Sequence, residues 1–164
     1  MNPTGGGWVI AVTLLVAMFL SVFHLPQEWP NWLGWLRPNW MVLVLFFWTV
    51  EVPHRVSLLA VWLLGFFVDA LLAEPLGLNG IILAGVTYFT WGFYERLRMY
   101  SALQQGAVVF VLVVAAELLR YLVLSILGSR PWSWGVLSVP LVSMLLWPFV
   151  YILLIRLRTG MRIE

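Results

Sequence analysis

Asp69 is the residue this sequence has to accommodate. It lies in an apolar run, residues 56–73, which the polar knot 51–55 joins to an earlier apolar run, residues 41–50. Residues 37–73 therefore read as a membrane hairpin with one acid inside it. A charged Asp in hydrocarbon costs roughly 2.5–3.5 kcal/mol on insertion scales, so the rest of the chain must supply that carboxyl with a partner.

Composition decides whether those surroundings are hydrocarbon. Hydrophobic residues make up 63% of the 164 and charged residues 10%, with a mean hydropathy of +0.98, which leaves no ordinary water-facing surface. Six runs reach or approach the roughly 20 residues a bilayer core requires: 8–24, 33–50, 57–73, 78–94, 106–127 and 136–155. The expectation is an all-α polytopic membrane protein, with residues 1–164 forming a single domain of six transmembrane helices. All nine basic residues are Arg, eight of them spread over loops and the tail, and the net charge is only +2, so nucleic acid is not an indicated partner. The absence of cysteine excludes disulfides, zinc thiolates and thiol catalysis. The apolar N-terminus has neither a basic leader nor a convincing small-residue cleavage site and is read as a retained first span. Gly5, Gly6 and Gly7 lack the following Lys of a phosphate loop.

Arginine placement orients the spans. With the N-terminus inside, inner loops and tail hold Arg55, Arg96, Arg98, Arg156, Arg158 and Arg162, and outer loops hold Arg37 and Arg130. Six against two places both termini in the cytoplasm. The outer segment 25–39 carries Trp29, Trp32 and Trp35 ahead of Trp40, an aromatic belt expected to form a short interfacial helix. Pro38 is read either as the first helical residue of a short span two or as a kink in a span that starts earlier. Gly65 lies four residues before Asp69 on the same helical face, so a neighbouring helix can come close beside the acid. Pro75, Gly77 and Gly80 mark a turn. Residues 94–105 are read as an inner connection lying on the membrane surface, drawn there by anionic lipid. Pro148 predicts a kink in span six.

At Arg37 to Trp40, Pro53 to Val56, Gly65 with Asp69, Leu76, Gly77 and Gly80, and Arg98, Met99 and Tyr100 with Gln104 and Gln105, the chain resembles the MreD family of bacterial rod shape-determining membrane proteins. The likeness covers most of residues 37–106; the last two spans and the Trp-rich first loop match only in hydrophobic character. The resemblance implies a non-enzymatic inner-membrane component of the cell-elongation machinery. Its partners would be the bitopic protein MreC, the actin-like MreB, and the glycosyltransferase and transpeptidase that build lateral-wall peptidoglycan. It also implies a fold similar to the six-helix substrate-binding subunits of energy-coupling-factor vitamin transporters.

The candidate structural or partner-binding residues are Arg37, Asn39, His54, Arg55, Asp69, Gln104, Gln105, Glu117 and Arg120. Asp69 is either a carboxyl paired with an arginine between helices or a ligand or proton site. Glu117 and Arg120, three residues apart, are either an intrahelical pair that neutralises itself or a contact to another span. His54 and Arg55 follow Pro53 in a tight inner turn, as loop geometry and a positive anchor or as a partner site. Gln104 and Gln105 either cap span five or meet a protein; His24 reads as interfacial. Depth arithmetic places Asp69 and Arg120 at similar levels below the outer surface, so they are expected to form the principal buried pair, linking spans three and five. No nucleophile elbow, two-His zinc helix or phosphate loop is present, and no cofactor is indicated. The functional expectation is a membrane scaffold in contact with lipid, with a homodimer among the candidate assemblies; the competing reading is a small-molecule-binding or transport subunit.

Overall fold

Eleven consecutive residues from Met41 to Glu51 are buried, so the helix they form is enclosed on every side. This helix is the axis of the computed structural model, which describes residues 7–22, 37–128 and 134–160. Those residues form six α-helices: α1 (Gly7–Val22), α2 (Trp40–Glu51), α3 (Leu58–Leu72), α4 (Leu78–Met99), α5 (Ala102–Ile126) and α6 (Ser138–Gly160). Short 3-10 turns occupy Pro53–Arg55 and Trp134–Leu137, and no strand occurs among the described residues. Helices α5 and α6 are long and apolar enough to cross a membrane, while α1, α2 and α3 are apolar but shorter.

The central helix packs on α1, α4, α5 and α6. Aromatic edges fix these contacts: Phe46 meets Trp147 at 5.1 Å between ring centroids, and Phe47 meets Tyr151 at 5.8 Å. The Trp48 indole N–H donates to Thr13 Oγ1 at 2.8 Å, tying α2 to α1. The expected hairpin of residues 37–73 needs correction here. Its two helices follow one another but do not pack along one another; α3 lies chiefly on α4, with a smaller contact to α1. A helix that is apolar all round takes its neighbours from the whole chain, and α4 takes the flank that α3 would have occupied.

Three boundaries also differ from the expected ones. Asn39 caps α2, its side-chain oxygen accepting from the Val42 N–H at 3.3 Å, so the helix begins at Trp40 and Pro38 precedes the cap. The 94–105 connection is almost wholly helical: α4 runs to Met99 and α5 starts at Ala102. Ser101 and Gln104 form a reciprocal capping box, with Ser101 N donating to Gln104 Oε1 at 2.9 Å, which starts α5 four residues earlier than the apolar run suggested. Helix α6 continues through Pro148 to Gly160. The Trp29, Trp32 and Trp35 belt, like His24, Arg130 and Arg162, lies outside the described residues.

The α3–α4 contact is set by glycine. A Cβ on Gly65 would stand 2.3 Å from both Gly80 Cα and Gly80 N, so the two backbones touch one turn from Asp69, the close approach that the Gly65–Asp69 spacing predicts.

Candidate functional site

Asp69 is fully buried, and its partners are helix N–H groups rather than an arginine. The chain leaves α3 through Ala73 in the left-handed region, turns at Gly77 with φ +96°, and enters α4 at Leu78. Gly77 is the N-cap of α4 and offers no side chain to cap it. Asp69 supplies that cap from the preceding helix: Oδ2 accepts from Gly77 N–H at 2.7 Å, and Oδ1 accepts from Asn79 N–H at 2.9 Å and from Asn79 Nδ2 at 2.8 Å. The carboxylate thus faces the positive end of the α4 dipole, which offsets burial of its charge without a cation.

Asn79 carries the network outward. Its amide nitrogen also donates to Glu74 Oε2 at 2.9 Å, and its amide oxygen accepts from Arg120 Nη2. Both amide protons and the carbonyl are therefore used. Arg120 lies between two carboxylates, with Nε 3.7 Å from Glu74 and Nη1 3.7 Å from Glu117, so the pair of Glu117 and Arg120 is made within its helix and Arg120 also reaches another segment. Glu117 Oε1 accepts in turn from Asn39 Nδ2 at 3.2 Å, and Asn39 N–H donates to Ser143 Oγ at 3.0 Å. One continuous chain of polar contacts therefore joins α3, α4, α5, α2 and α6. Arg37 closes this end by donating from Nη2 to Ser21 O at 3.0 Å.

The expected Asp69–Arg120 pair is accordingly corrected. The two residues share a network and both bond Asn79, but their charged groups are not direct partners. The N–H groups at the start of α4 reach the carboxylate before the guanidinium can.

A second polar contact lies at the other end of α2, roughly 18 Å away at 1.5 Å per residue. There Glu51, read from sequence as part of the polar knot, is buried as the last residue of α2 and is ion-paired with Arg158 of α6. Nearby, Gln105 is buried and donates to Leu97 O at 2.9 Å, tying the start of α5 to the end of α4. Gln104 is the capping residue already described. His54 and Arg55 are exposed in their 3-10 turn. Asn79, Glu74, Ser143, Glu51 and Arg158 were all missed as site residues. One signal was available for Asn79: an amide two residues after a glycine cap, with an acid eight residues before that glycine.

Helices that expose Leu59, Leu63, Phe67 and Leu71 in one stripe, and close their interior charges on one another at two levels, define a helical integral membrane protein. The family described as rod shape-determining protein MreD matches residues 4–157. A rod shape-determining protein MreD of Haemophilus influenzae is 31% identical over 151 residues, which are 92% of this chain and 93% of that protein. No solved structure matches. The chain belongs to the MreD family, and that membership supports a role in determining rod shape.

Proposed function

We propose that the protein is a non-catalytic inner-membrane scaffold of the cell-elongation machinery. In this reading residues 1–164 form one six-helix transmembrane domain that binds an MreC-type single-span partner within the bilayer and supports lateral peptidoglycan synthesis. Contacts with the actin-like MreB, the glycosyltransferase and the transpeptidase are then indirect. Beside the family match, one observation carries the reading. Asp69, Glu74, Glu117, Arg120, Glu51 and Arg158 are all engaged by groups of the same chain, and the bundle axis is filled by Trp48, Trp147, Phe46 and Phe47. A transport subunit instead needs converging polar groups around an open midplane cavity. The candidate residues Arg37, Asn39, Asp69, Glu117 and Arg120 then hold the scaffold in shape, and exposed His54 and Arg55 remain available to a cytoplasmic contact. Deleting the gene should round a rod-shaped cell, and the purified protein should bring down a bitopic membrane protein. Normal cell shape together with copurification of a small molecule would refute the scaffold.

The same reading places both termini and the Tyr100–Ser101 turn in the cytoplasm. Because the chain has no native cysteine, Ser101→Cys gives a single reporter. An impermeant thiol reagent should label it only after the membrane is permeabilised; labelling in intact cells would reverse the topology.

A further inference from the structure

We propose that the wedge between α4 and α5 seats an acyl chain of an anionic phospholipid whose phosphate is held by Arg96. The two helices are closed at one end, where Leu78 and Ile82 of α4 pack with Ala116 and Leu124 of α5. Between that contact and the Tyr100–Ser101 turn, where Gln105 of α5 bonds Leu97 O of α4, the helices leave a cavity of about 440 Å3, lined by Phe89, Phe93, Arg96, Leu97, Val108 and Val111. The walls are apolar and the cavity opens sideways: Phe89 and Phe93 are about half exposed, at 48% and 45%, and Val111 is 62% exposed.

Depth and charge select the occupant. From Phe89 to Tyr100 the wedge runs eleven residues, roughly 16 Å at 1.5 Å per residue. That is about half of a hydrocarbon core roughly 30 Å thick, the depth of one leaflet. A partner's spanning helix would need the groove to continue, but Leu78 and Ile82 already pack with Ala116 and Leu124 in the other half of the α4–α5 pair. Arg120 and Arg158 are consumed by carboxylates elsewhere in the bundle, whereas Arg96 forms no ion pair among the described residues. It is exposed at the level where a headgroup would lie, beside the N-terminal, electropositive end of α5. An apolar slot of leaflet depth under an unpaired guanidinium matches an anionic lipid on both counts. The inference requires that the protein be in a bilayer and does not depend on the scaffold role.

The test uses the full-length protein, delipidated in detergent and titrated with phosphatidylglycerol or with phosphatidylcholine of the same chains, bound lipid being counted by native mass spectrometry. The wild type should retain phosphatidylglycerol preferentially. Arg96→Gln should lower that retention about fivefold, as expected for one basic group at a lipid surface, while Arg98→Gln on the same turn should not. Val111→Trp, at an exposed position that tolerates bulk, should block the slot and lose the lipid adduct with an unchanged melting temperature. Equal loss in Arg98→Gln would overturn the proposal by showing general surface attraction. It fails equally if Arg96→Gln and Val111→Trp keep the lipid, or if Val111→Trp abolishes a dimer instead, which would assign the slot to a second copy of the chain.

Discussion

Gly65→Ala is expected to cause the largest loss of folded protein of any glycine-to-alanine change among the described residues. The added Cβ would meet Gly80 Cα and N at 2.3 Å, and backbone cannot rotate aside as a flexible side chain can. The approach is as close seen from α4, since a Cβ on Gly80 would stand 3.1 Å from Trp62 O on α3. Overpacking of this kind costs roughly 1–3 kcal/mol and sometimes more, because relief requires parting the two helices. Parting them would also draw Gly77 and Asn79 away from Asp69, so steric and hydrogen-bond losses add. Gly85→Ala and Gly92→Ala serve as controls: at both positions an added Cβ meets nothing within 4 Å. Alanine there should be neutral or stabilising, by up to about 1 kcal/mol from helix propensity. Melting temperatures of the three variants in one detergent would check this. A Gly65→Ala protein that melts with the Gly92→Ala protein would show that α3 and α4 are not held at glycine contact.

Asp69→Ala should be comparably damaging, and Arg120→Ala should fail to rescue it. Removing the carboxylate leaves the Gly77 and Asn79 N–H groups buried without their acceptor, at roughly 1–3 kcal/mol each. The Asn79 side chain keeps Glu74. Arg120→Ala acts elsewhere, by removing the cation between Glu74 and Glu117. Breaking one side of a buried pair costs roughly 3–5 kcal/mol. The value here should be lower, because the Arg120 side chain is 18% exposed and an unfolded chain still inserted in the membrane finds substitute partners. In a direct ion pair the double mutant would be little worse than either single mutant. Here the two losses should be close to additive, reduced only by the coupling through Asn79. Partial recovery is expected instead from Arg120→Ala combined with Glu117→Gln. A double-mutant cycle on unfolding in mixed micelles measures this, and a double mutant as stable as the singles would restore a direct Asp69–Arg120 pair.

What could be read in advance was whatever depends on spacing along one helix. Gly65 and Asp69 at a separation of four announced a close approach beside the acid, and Glu117 with Arg120 at a separation of three allowed the intrahelical contact that forms, alongside the contacts to other segments left open with it. Ser101 with Gln104 had the form of a capping box, although the apolar run that began later concealed the start of α5. Contacts between helices were not legible in this way. Glu51 and Arg158 are 107 residues apart, and nothing local in either segment names the other. The α2–α3 connection looked like a hairpin because tight turns usually join packed neighbours, yet α2 is apolar on all faces and its flank went to α4.

The sequence by itself determined the class of the protein: an apolar, cysteine-free chain of helical runs whose few charges had to be placed and paired. That follows because burial in hydrocarbon penalises each unpaired charge whatever the fold. Only the tertiary structure decided which group satisfies each charge. The α3–α4 turn brings the start of α4 back onto Asp69, so a helix N-terminus takes the place expected for an arginine, and Arg120 is left to join Glu74 and Glu117. Periodicity specifies the face a residue presents and its depth along the helix. Which neighbour stands opposite is settled by the packing of all the helices at once.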